Sequence, residues 1–255
     1  MEQIVRYYGI TDGGKKRDHN EDAFYVSEVG HFGILADGMG GRHFGEVAAK
    51  MTVDIVRQKF ETFFPPSYSK LRATDQAHCA DMVINLLDEW IRDANFQVWK
   101  KGQDDEKYRE MGTTVVAAYT MPTLAVLAHV GDSRAYHIRG DEMTQLTVDH
   151  SLVNSQVESG MLTEEEAAQS NQRNIITRAV GTSKNVKPEI TTCHTKRGDR
   201  IIICSDGLSD MVTDEVILEL GRVEEPEEAL QAMVNEANNN GGKDNITVVM
   251  IEFSA

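Results

Sequence analysis

Hydrophobic and polar positions follow two periods along this chain, one suited to strands and one to helices. Residues 4–10 read as a first strand, and residues 23–29 alternate well enough for a second. Between them lies a polar turn segment, Thr11 to Asp22. Phe32-Gly33-Ile34-Leu35-Ala36 is an unbroken apolar run, the pattern of a buried strand, and predicts a third over 31–36. Val47, Ala48, Met51, Ile55 and Val56 then recur at helical spacing between Gly45 and Phe60, and Pro65-Pro66 ends that region. A longer helix is predicted from about Asp75 to Trp99. Its stripe of Val83, Leu86, Leu87, Trp90, Ile91, Ala94 and Val98 assigns that face, and both tryptophans, to the core. Gly102 to Glu110 reads as a charged loop.

Strands return over 113–119, 124–130 and 134–138, with Met121-Pro122 and Gly140-Asp141 as turns. Residues 149–187 change character: they are polar and hold two short helical candidates. The second opens with Thr163-Glu164-Glu165-Glu166, a capping-box pattern. This stretch reads as a surface excursion, or flap, on the main body. Strands resume over 190–194 and 200–204, and residues 213–220 and 226–238 read as helices, the latter with Pro226 in its first turn. Asn238 to Gly242 is a flexible loop before a last strand over 246–253. The order is strands, two helices, strands, excursion, strands, two helices, strand. That is not βαβ alternation; it predicts antiparallel sheets with helices outside them, an α+β layered sandwich. With no repeat, linker or low-complexity tract, residues 1–255 are expected to form one domain.

Charge narrows the function classes. The chain carries 26 Lys plus Arg against 41 Asp plus Glu, a formal net charge of −15. Such an acidic protein is a poor binder of nucleic acid or anionic membrane. No apolar run approaches the roughly 20 residues needed to span a bilayer. Met1 to Arg6 lacks the apolar region of a signal peptide, so a cytoplasmic location is expected. Cys79, Cys193 and Cys204 are odd in number and show no metal-type spacing, which fits reduced, mostly buried thiols.

Candidate chemistry lies where strands stop. Asp37 follows the third predicted strand at once, and Gly38-Met39-Gly40-Gly41 follows it. Taken alone, this reads as an Asp-Gly turn. Yet acids recur at strand ends beside turn residues in Asn20-Glu21-Asp22, Gly131-Asp132-Ser133, Ser205-Asp206-Gly207 and Lys243-Asp244-Asn245. Each lies next to an apolar run that carries it toward the core layer. Buried carboxylates are costly unless paired or bound to a metal. Oxygen-only ligands select hard ions such as Mg²⁺ or Mn²⁺. Two such ions sharing one bridging carboxylate can activate a water and stabilise in-line displacement at phosphorus. Arg17 stands on the same loop as Glu21 and Asp22, and its planar fork suits two phosphate oxygens. His19, His43, His129 and His150 show no metal spacing, and neither a P-loop frame nor a G-x-S-x-G elbow is present.

Taken in order, these segments resemble the metal-dependent protein phosphatases, the type 2C serine/threonine phosphatases, in their compact bacterial form. The matching stretches are Thr11-Asp12 through Arg17 to Asp22, Ala36 to Gly41, Met111 to Thr114, Val130 to Arg134, Leu146 to Leu152, Ser205 to Asp210 and Asp244 to Thr247, which together cover nearly the whole chain. The resemblance implies a four-layer α-β-β-α sandwich of two antiparallel sheets flanked by helices. It implies two Mn²⁺ or Mg²⁺ ions per active site, with Asp37 as the bridging ligand and the Gly38 carbonyl on one ion. Asp206 and Asp244 would bind the other, and Glu21 and Asp22 would hold metal-bound waters or ligate directly. Arg17 would bind the substrate phosphate. Asp132 and Asp206, assisted by Asp210, would form a third, weaker metal site, and residues 149–187 would be the flap beside the active site.

This implies hydrolysis of phosphoserine and phosphothreonine in proteins by a metal-bridging hydroxide, without a phosphoenzyme, opposing a bacterial Ser/Thr kinase. Met39 stands where animal members carry a His thought to act as general acid, so protonation of the leaving oxygen falls to a metal-bound water or another group. Arg42 stands where many bacterial members have His. A catalytically silent phosphoprotein-binding module on the same fold would lack ligand acids, and all of them are present. A two-metal nuclease or nucleotidase conflicts with the charge of −15 and with the lack of a basic groove.

Overall fold

The computed structural model describes residues 4–28, 31–39, 44–64, 76–168, 170–172 and 174–254. Val29, Gly40, Gly41, Arg42, His43, Pro65, Pro66 and Asp75 lie outside the described residues.

Two antiparallel five-stranded sheets carry the fold. The first runs β1 (Ile4–Asp12), β12 (Ile246–Ser254), β11 (Arg200–Cys204), β8 (Arg134–Arg139) and β9 (Glu142–Gln145). The second runs β10 (Glu189–His194), β7 (Leu124–Val130), β6 (Val115–Met121), β3 (Phe32–Ala36) and β2 (Ala23–Val26). A small ladder joins β4 (Gly38–Met39) to β5 (Gly112–Thr113). Strand periodicity sends alternate side chains to opposite faces. On β6, Val115, Ala117, Tyr119 and Met121 join the layer under α1 (Gly45–Phe63) and α2 (Gln76–Asp104), while Val116 and Ala118 enter the layer between the sheets. On β12, Ile246, Val248 and Met250 pack with α5 (Asp206–Ser209), α6 (Asp214–Gly221) and α7 (Pro226–Asn239). Val249, Ile251 and Phe253 of the same strand face inward. Three apolar layers therefore alternate with backbone, giving the four-layer α-β-β-α sandwich. Both faces of the central strands are covered, which is why they read as near-continuous apolar runs rather than alternating ones.

The segment from Asp149 to Lys187 holds α3 (Leu152–Glu158) and α4 (Glu164–Ala168). The capping box forms: Glu166 N–H donates to Thr163 Oγ1 at 3.2 Å, and Thr163 N–H to Glu166 Oε2 at 2.8 Å. The segment is tied down by Leu152 N–H to the Ile175 carbonyl and Thr177 N–H to the His150 carbonyl, each at 2.8 Å.

Four details depart from the sequence pattern. α2 continues through Gly102 to Asp104, beyond the expected end at Trp99. Gly102 is buried against the returning chain, where a Cβ would come within 2.8 Å of the Tyr108 carbonyl, so tertiary packing prolongs the helix. Trp90 is core, but Trp99 is only half-buried beside the exposed Phe96. β9 was not readable, because three of its four residues, Glu142, Thr144 and Gln145, are polar and exposed at a sheet edge. The one-turn α5, which begins on Asp206, was equally silent. The cysteines are free and buried as expected. Among the described residues, no helix is long and apolar enough to cross a membrane.

Ile203 is fully buried between the sheets. Ile203→Ala is expected to lower unfolding free energy by about 2–5 kcal/mol in urea denaturation, through lost burial and the cavity left behind. An effect below about 1 kcal/mol would show that the inter-sheet layer is not the core described.

Candidate metal centre

The acid-bearing segments meet at one end of the sandwich because the antiparallel register brings them there. Asp22 precedes β2 and Asp37 follows β3, whose paired ends are Ala23 and Ala36. Asp206 follows β11 and Asp244 precedes β12, with Cys204 opposite Val248. Asp132 lies just past the end of β7. Opposite chain directions thus deliver strand starts and strand ends to the same edge.

Backbone bonding holds Asp37 rigidly. Its N–H donates to Thr114 Oγ1 at 3.0 Å, and its carbonyl accepts from Thr114 N–H and Thr113 Oγ1, both at 2.8 Å. Thr114 Oγ1 also shares a 2.7 Å hydrogen bond with Ser133 Oγ, next to Asp132. Gly38 is required by close approach. A Cβ there would lie 2.4 Å from the Gly45 carbonyl carbon and 2.5 Å from the Glu21 carbonyl oxygen. Glu21, Gly38 and the start of α1 are therefore packed backbone against backbone.

The electrostatics are unfavourable for bare carboxylates. Burial pushes the Asp37 carboxyl well above the usual range, and the charges of Asp22, Asp206, Asp132 and Asp244 push it further. Asp206 is driven up in the same way, by burial first and then by Asp132, Asp244, Asp210 and Asp22. Burial, then Asp149 and Asp210, raises Asp132 to about 6. Burial raises Asp22 as well, an effect that the nearby Thr247 and Ser205 hydroxyls and the Asp37 carboxyl partly offset. Both Asp22 carboxylate oxygens and Asp132 Oδ1 are buried without a donor at hydrogen-bonding geometry. Buried, donor-starved oxygens beside other carboxylates are what a hard cation satisfies. The donor set of Asp22, Asp37, Asp132, Asp206, Asp244, Glu21 and the Gly38 carbonyl is all oxygen, so it fits Mg²⁺ or Mn²⁺ rather than a thiophilic metal.

Arg17 reaches this cluster, with Nη2 2.5 Å from Asp244 Oδ2. That hydrogen bond is the main reason its pKa is pushed further up. A cavity of about 590 Å³ opens beside the acids, with Asp132, Asp206 and Asp210 on one side and Val153, Val157 and Asn174 of the 149–187 segment on the other. Every acid singled out in the sequence is thus brought to this end, and Arg17 with them. What the sequence did not reveal is the hydroxyl layer beneath: Thr113, Thr114, Ser133, Ser205 and Thr247. These residues stood inside the matching motifs, but nothing in their type signalled which backbone groups they bind.

Two of the histidines that show no metal spacing in the sequence also come together. His129 and His150 stack with centroids 4.7 Å apart, and their ring nitrogens and the Glu189 carboxylate lie within 4.8 Å of one another. His150 Nδ1 accepts the Gly131 N–H at 3.0 Å, while its Nε2 faces both Arg178 Nη1 at 2.8 Å and Glu189 Oε1 at 3.2 Å. Burial, then His129 and Arg178, holds its pKa down to about 4. A metal on Nε2 would need the proton on Nδ1, where the Gly131 N–H stands. Arg178 Nη1, 3.1 Å from Glu189 Oε1, already supplies the cation. This group ties residue 178 to β10 rather than holding a metal.

A family model described as protein phosphatase 2C matches residues 14–246. The chain belongs to the protein phosphatase 2C family. It is 36% identical over 250 residues to the protein phosphatase PhpP of Streptococcus pneumoniae, covering 96% of each chain. Among solved structures it is similar to the serine/threonine phosphatase Stp1 of Staphylococcus aureus, at TM-score 0.87 and 36% identity over 100% of this chain and 97% of that one. It is also similar to the catalytic domain of the phosphatase PstP in complex with 2 manganese ions, at TM-score 0.84 and 33% identity over 99% and 100% of the two chains.

Removing the Asp37 charge should separate stability from metal binding in this phosphatase 2C chain. In EDTA, Asp37→Asn is expected to raise Tm by roughly 2–6 °C, because it deletes a buried, repelled carboxylate. In MnCl₂ the order should reverse, since only the native chain gains stability from the ion. A variant that Mn²⁺ stabilises as much as the native chain would contradict the assignment of Asp37.

Acid should weaken the same linkage. A carboxyl whose folded pKa lies above its unfolded value binds more protons folded than unfolded, so metal-free stability falls as pH rises through that range. With Asp132 at about 6 and Asp37 and Asp206 well above their usual values, protons compete for the cluster's oxygens as pH falls through about 6. The Tm gain from Mn²⁺ is expected to shrink on that descent. A gain independent of pH would argue that the ion binds elsewhere.

Proposed function

We propose that this chain is a metal-dependent protein phosphatase that hydrolyses phosphoserine and phosphothreonine in proteins, in a bacterial cytoplasm and opposite a Ser/Thr kinase. The observation that carries the reading is the convergence of Asp22, Asp37, Asp132, Asp206 and Asp244, with donor-starved oxygens among them, beside Arg17. The family membership and a manganese-bound relative support it.

In this reading Asp37, the Gly38 carbonyl, Asp206 and Asp244 would hold two Mn²⁺ or Mg²⁺ ions. Glu21 and Asp22 would complete the oxygen shell, and Asp132 with Asp206 would form a third, weaker site, with Asp210 alongside. When bound there, such ions lower the pKa of a water and offset charge developing on phosphorus. The chain's own residues do the rest. The Thr113–Thr114 bonds to the Asp37 backbone fix the Asp37 carboxylate in advance, so little reorganisation remains. Arg17 offers a planar fork to two phosphate oxygens. Its ion pair with Asp244 is exposed and of modest strength, so a phosphate can draw the guanidinium away at little cost. Residues 149–187 act as the flap, whose Val153 and Val157 give the adjoining cavity an apolar wall for the peptide flanking the phosphoresidue. Met39 offers no proton, so none of these residues is assigned as the leaving-group acid.

The test is hydrolysis of a phosphopeptide panel. Phosphoserine and phosphothreonine peptides should release phosphate in MnCl₂, phosphotyrosine peptides far more slowly, and all release should stop in excess EDTA. Full activity in EDTA, or preference for phosphotyrosine, would overturn the reading.

A further inference from the structure

Resting on the phosphatase reading, we propose that Asn245 is a positioning residue that staples the Arg17 loop shut and thereby sets the affinity for the substrate phosphate. Arg17 sits on a polar excursion between β1 and β2, and its side chain is more than half exposed. Local restraints hold only its ends: Gly14 N–H donates to Asp12 Oδ1 at 2.9 Å and Asn20 Nδ2 to Thr11 Oγ1 at 2.8 Å, while the stretch between contains no helix or strand. A long guanidinium on a mobile loop would bind phosphate poorly, because ordering both loop and side chain would be charged against binding.

One side chain resolves this. Asn245 is buried, only 4% exposed, and it spans the loop from within. Its Nδ2 donates to the Gly13 carbonyl at 3.1 Å and to the His19 carbonyl at 3.0 Å, the two ends of the segment that holds Arg17. Its Oδ1 accepts the Glu21 N–H at 2.8 Å. The amide orientation follows from chemistry: two carbonyls face one end and an N–H faces the other, so a flipped amide would lose all three bonds. The backbone of the same residue is anchored too. Its N–H donates to Asp244 Oδ1 at 2.9 Å, and its carbonyl accepts from Ser205 Oγ at 3.3 Å.

The surrounding contacts close the same seam. Lys15 N–H donates to the Gly242 carbonyl at 2.8 Å. Gly14, at φ +71°, lies so near the chain that a Cβ would fall 2.2 Å from the Asp244 carbonyl oxygen. The loop therefore docks face to face on residues 242–245. Asn245 is the side chain that joins the phosphate-binding Arg17, Glu21 and Asp244 into one rigid unit. Aspartate at this position would keep the acceptor for Glu21 but lose both donations. Alanine would lose all three bonds and leave two carbonyls and an N–H without their partner.

A double-mutant cycle tests the idea. Native chain, Arg17→Ala, Asn245→Ala and the pair are assayed on a phosphothreonine peptide at saturating MnCl₂, with inorganic phosphate as competitive inhibitor. Asn245→Ala is expected to raise KM and the phosphate inhibition constant roughly tenfold or more, with a smaller fall in kcat. In the Arg17→Ala background it should add little, because both changes remove the same contact. Asn245→Asp, which turns a carboxylate oxygen toward both carbonyls, should raise KM at least as far as Ala, and hydrogen exchange over residues 13–21 should quicken in both Asn245 variants. The exchange readout and the Asp variant decide the matter if the Ala variant does not fold. Additive effects of Arg17→Ala and Asn245→Ala would overturn the proposal, as would a loss of Tm with KM unchanged, or recovery of native kinetics merely by raising MnCl₂. Absence of Mn²⁺-dependent hydrolysis by the native chain would instead defeat the phosphatase reading itself.

Discussion

Crowding of buried carboxylates at one end of a β-sandwich is the constraint on which this structure depends. Asp22, Asp37, Asp132, Asp206 and Asp244 lie within each other's electrostatic reach, and burial plus mutual repulsion raises Asp22, Asp37 and Asp206. No folding advantage comes from such an arrangement by itself. A chain that keeps it must recover the cost elsewhere, from three apolar layers and from whatever cation the oxygens hold. The proposed function follows from the same tension, because a site that is unfavourable without a hard ion is one that would bind it firmly.

The fold supplies rigidity where the acids need it. β3, β7, β11 and β12 are central or well-covered strands, so the residues at their ends have fixed positions. Hydroxyls of Thr113, Thr114, Ser133, Ser205 and Thr247 satisfy backbone and side-chain partners beneath the site. The carboxylates are thereby free of the task of satisfying those backbone groups. The Arg17 loop has no such strands within it, and it is held from below through Asn245 instead.

Much of this was legible in the residues. Apolar runs such as Phe32 to Ala36 and Ile246 to Phe253 announced buried strands, and the acids at their ends announced the site. Register then did what sequence could not display: it turned separated motifs into neighbours, as Ala23 against Ala36 does for Asp22 and Asp37. Edge strand β9 was illegible because an exposed edge imposes no alternation. The end of α2 was misread because a glycine packed against another segment does not break a helix. Trp99 stood on the predicted helix but at the margin of its apolar face, and periodicity does not say how far the neighbouring layer extends. The roles of Asn245 and of the supporting threonines were hidden for a related reason: a hydrogen bond between residues 76 positions apart, as for Thr113 and Asp37, or more than 200, as for Asn245 and Gly13, leaves no mark on local pattern.

The measurement that bears most directly on the central claim is anomalous diffraction from crystals grown in MnCl₂, recorded at the manganese absorption edge. The account predicts peaks in contact with Asp37, the Gly38 carbonyl, Asp206 and Asp244. An absence of peaks there, or manganese at His129, His150 and Glu189 instead, would contradict it.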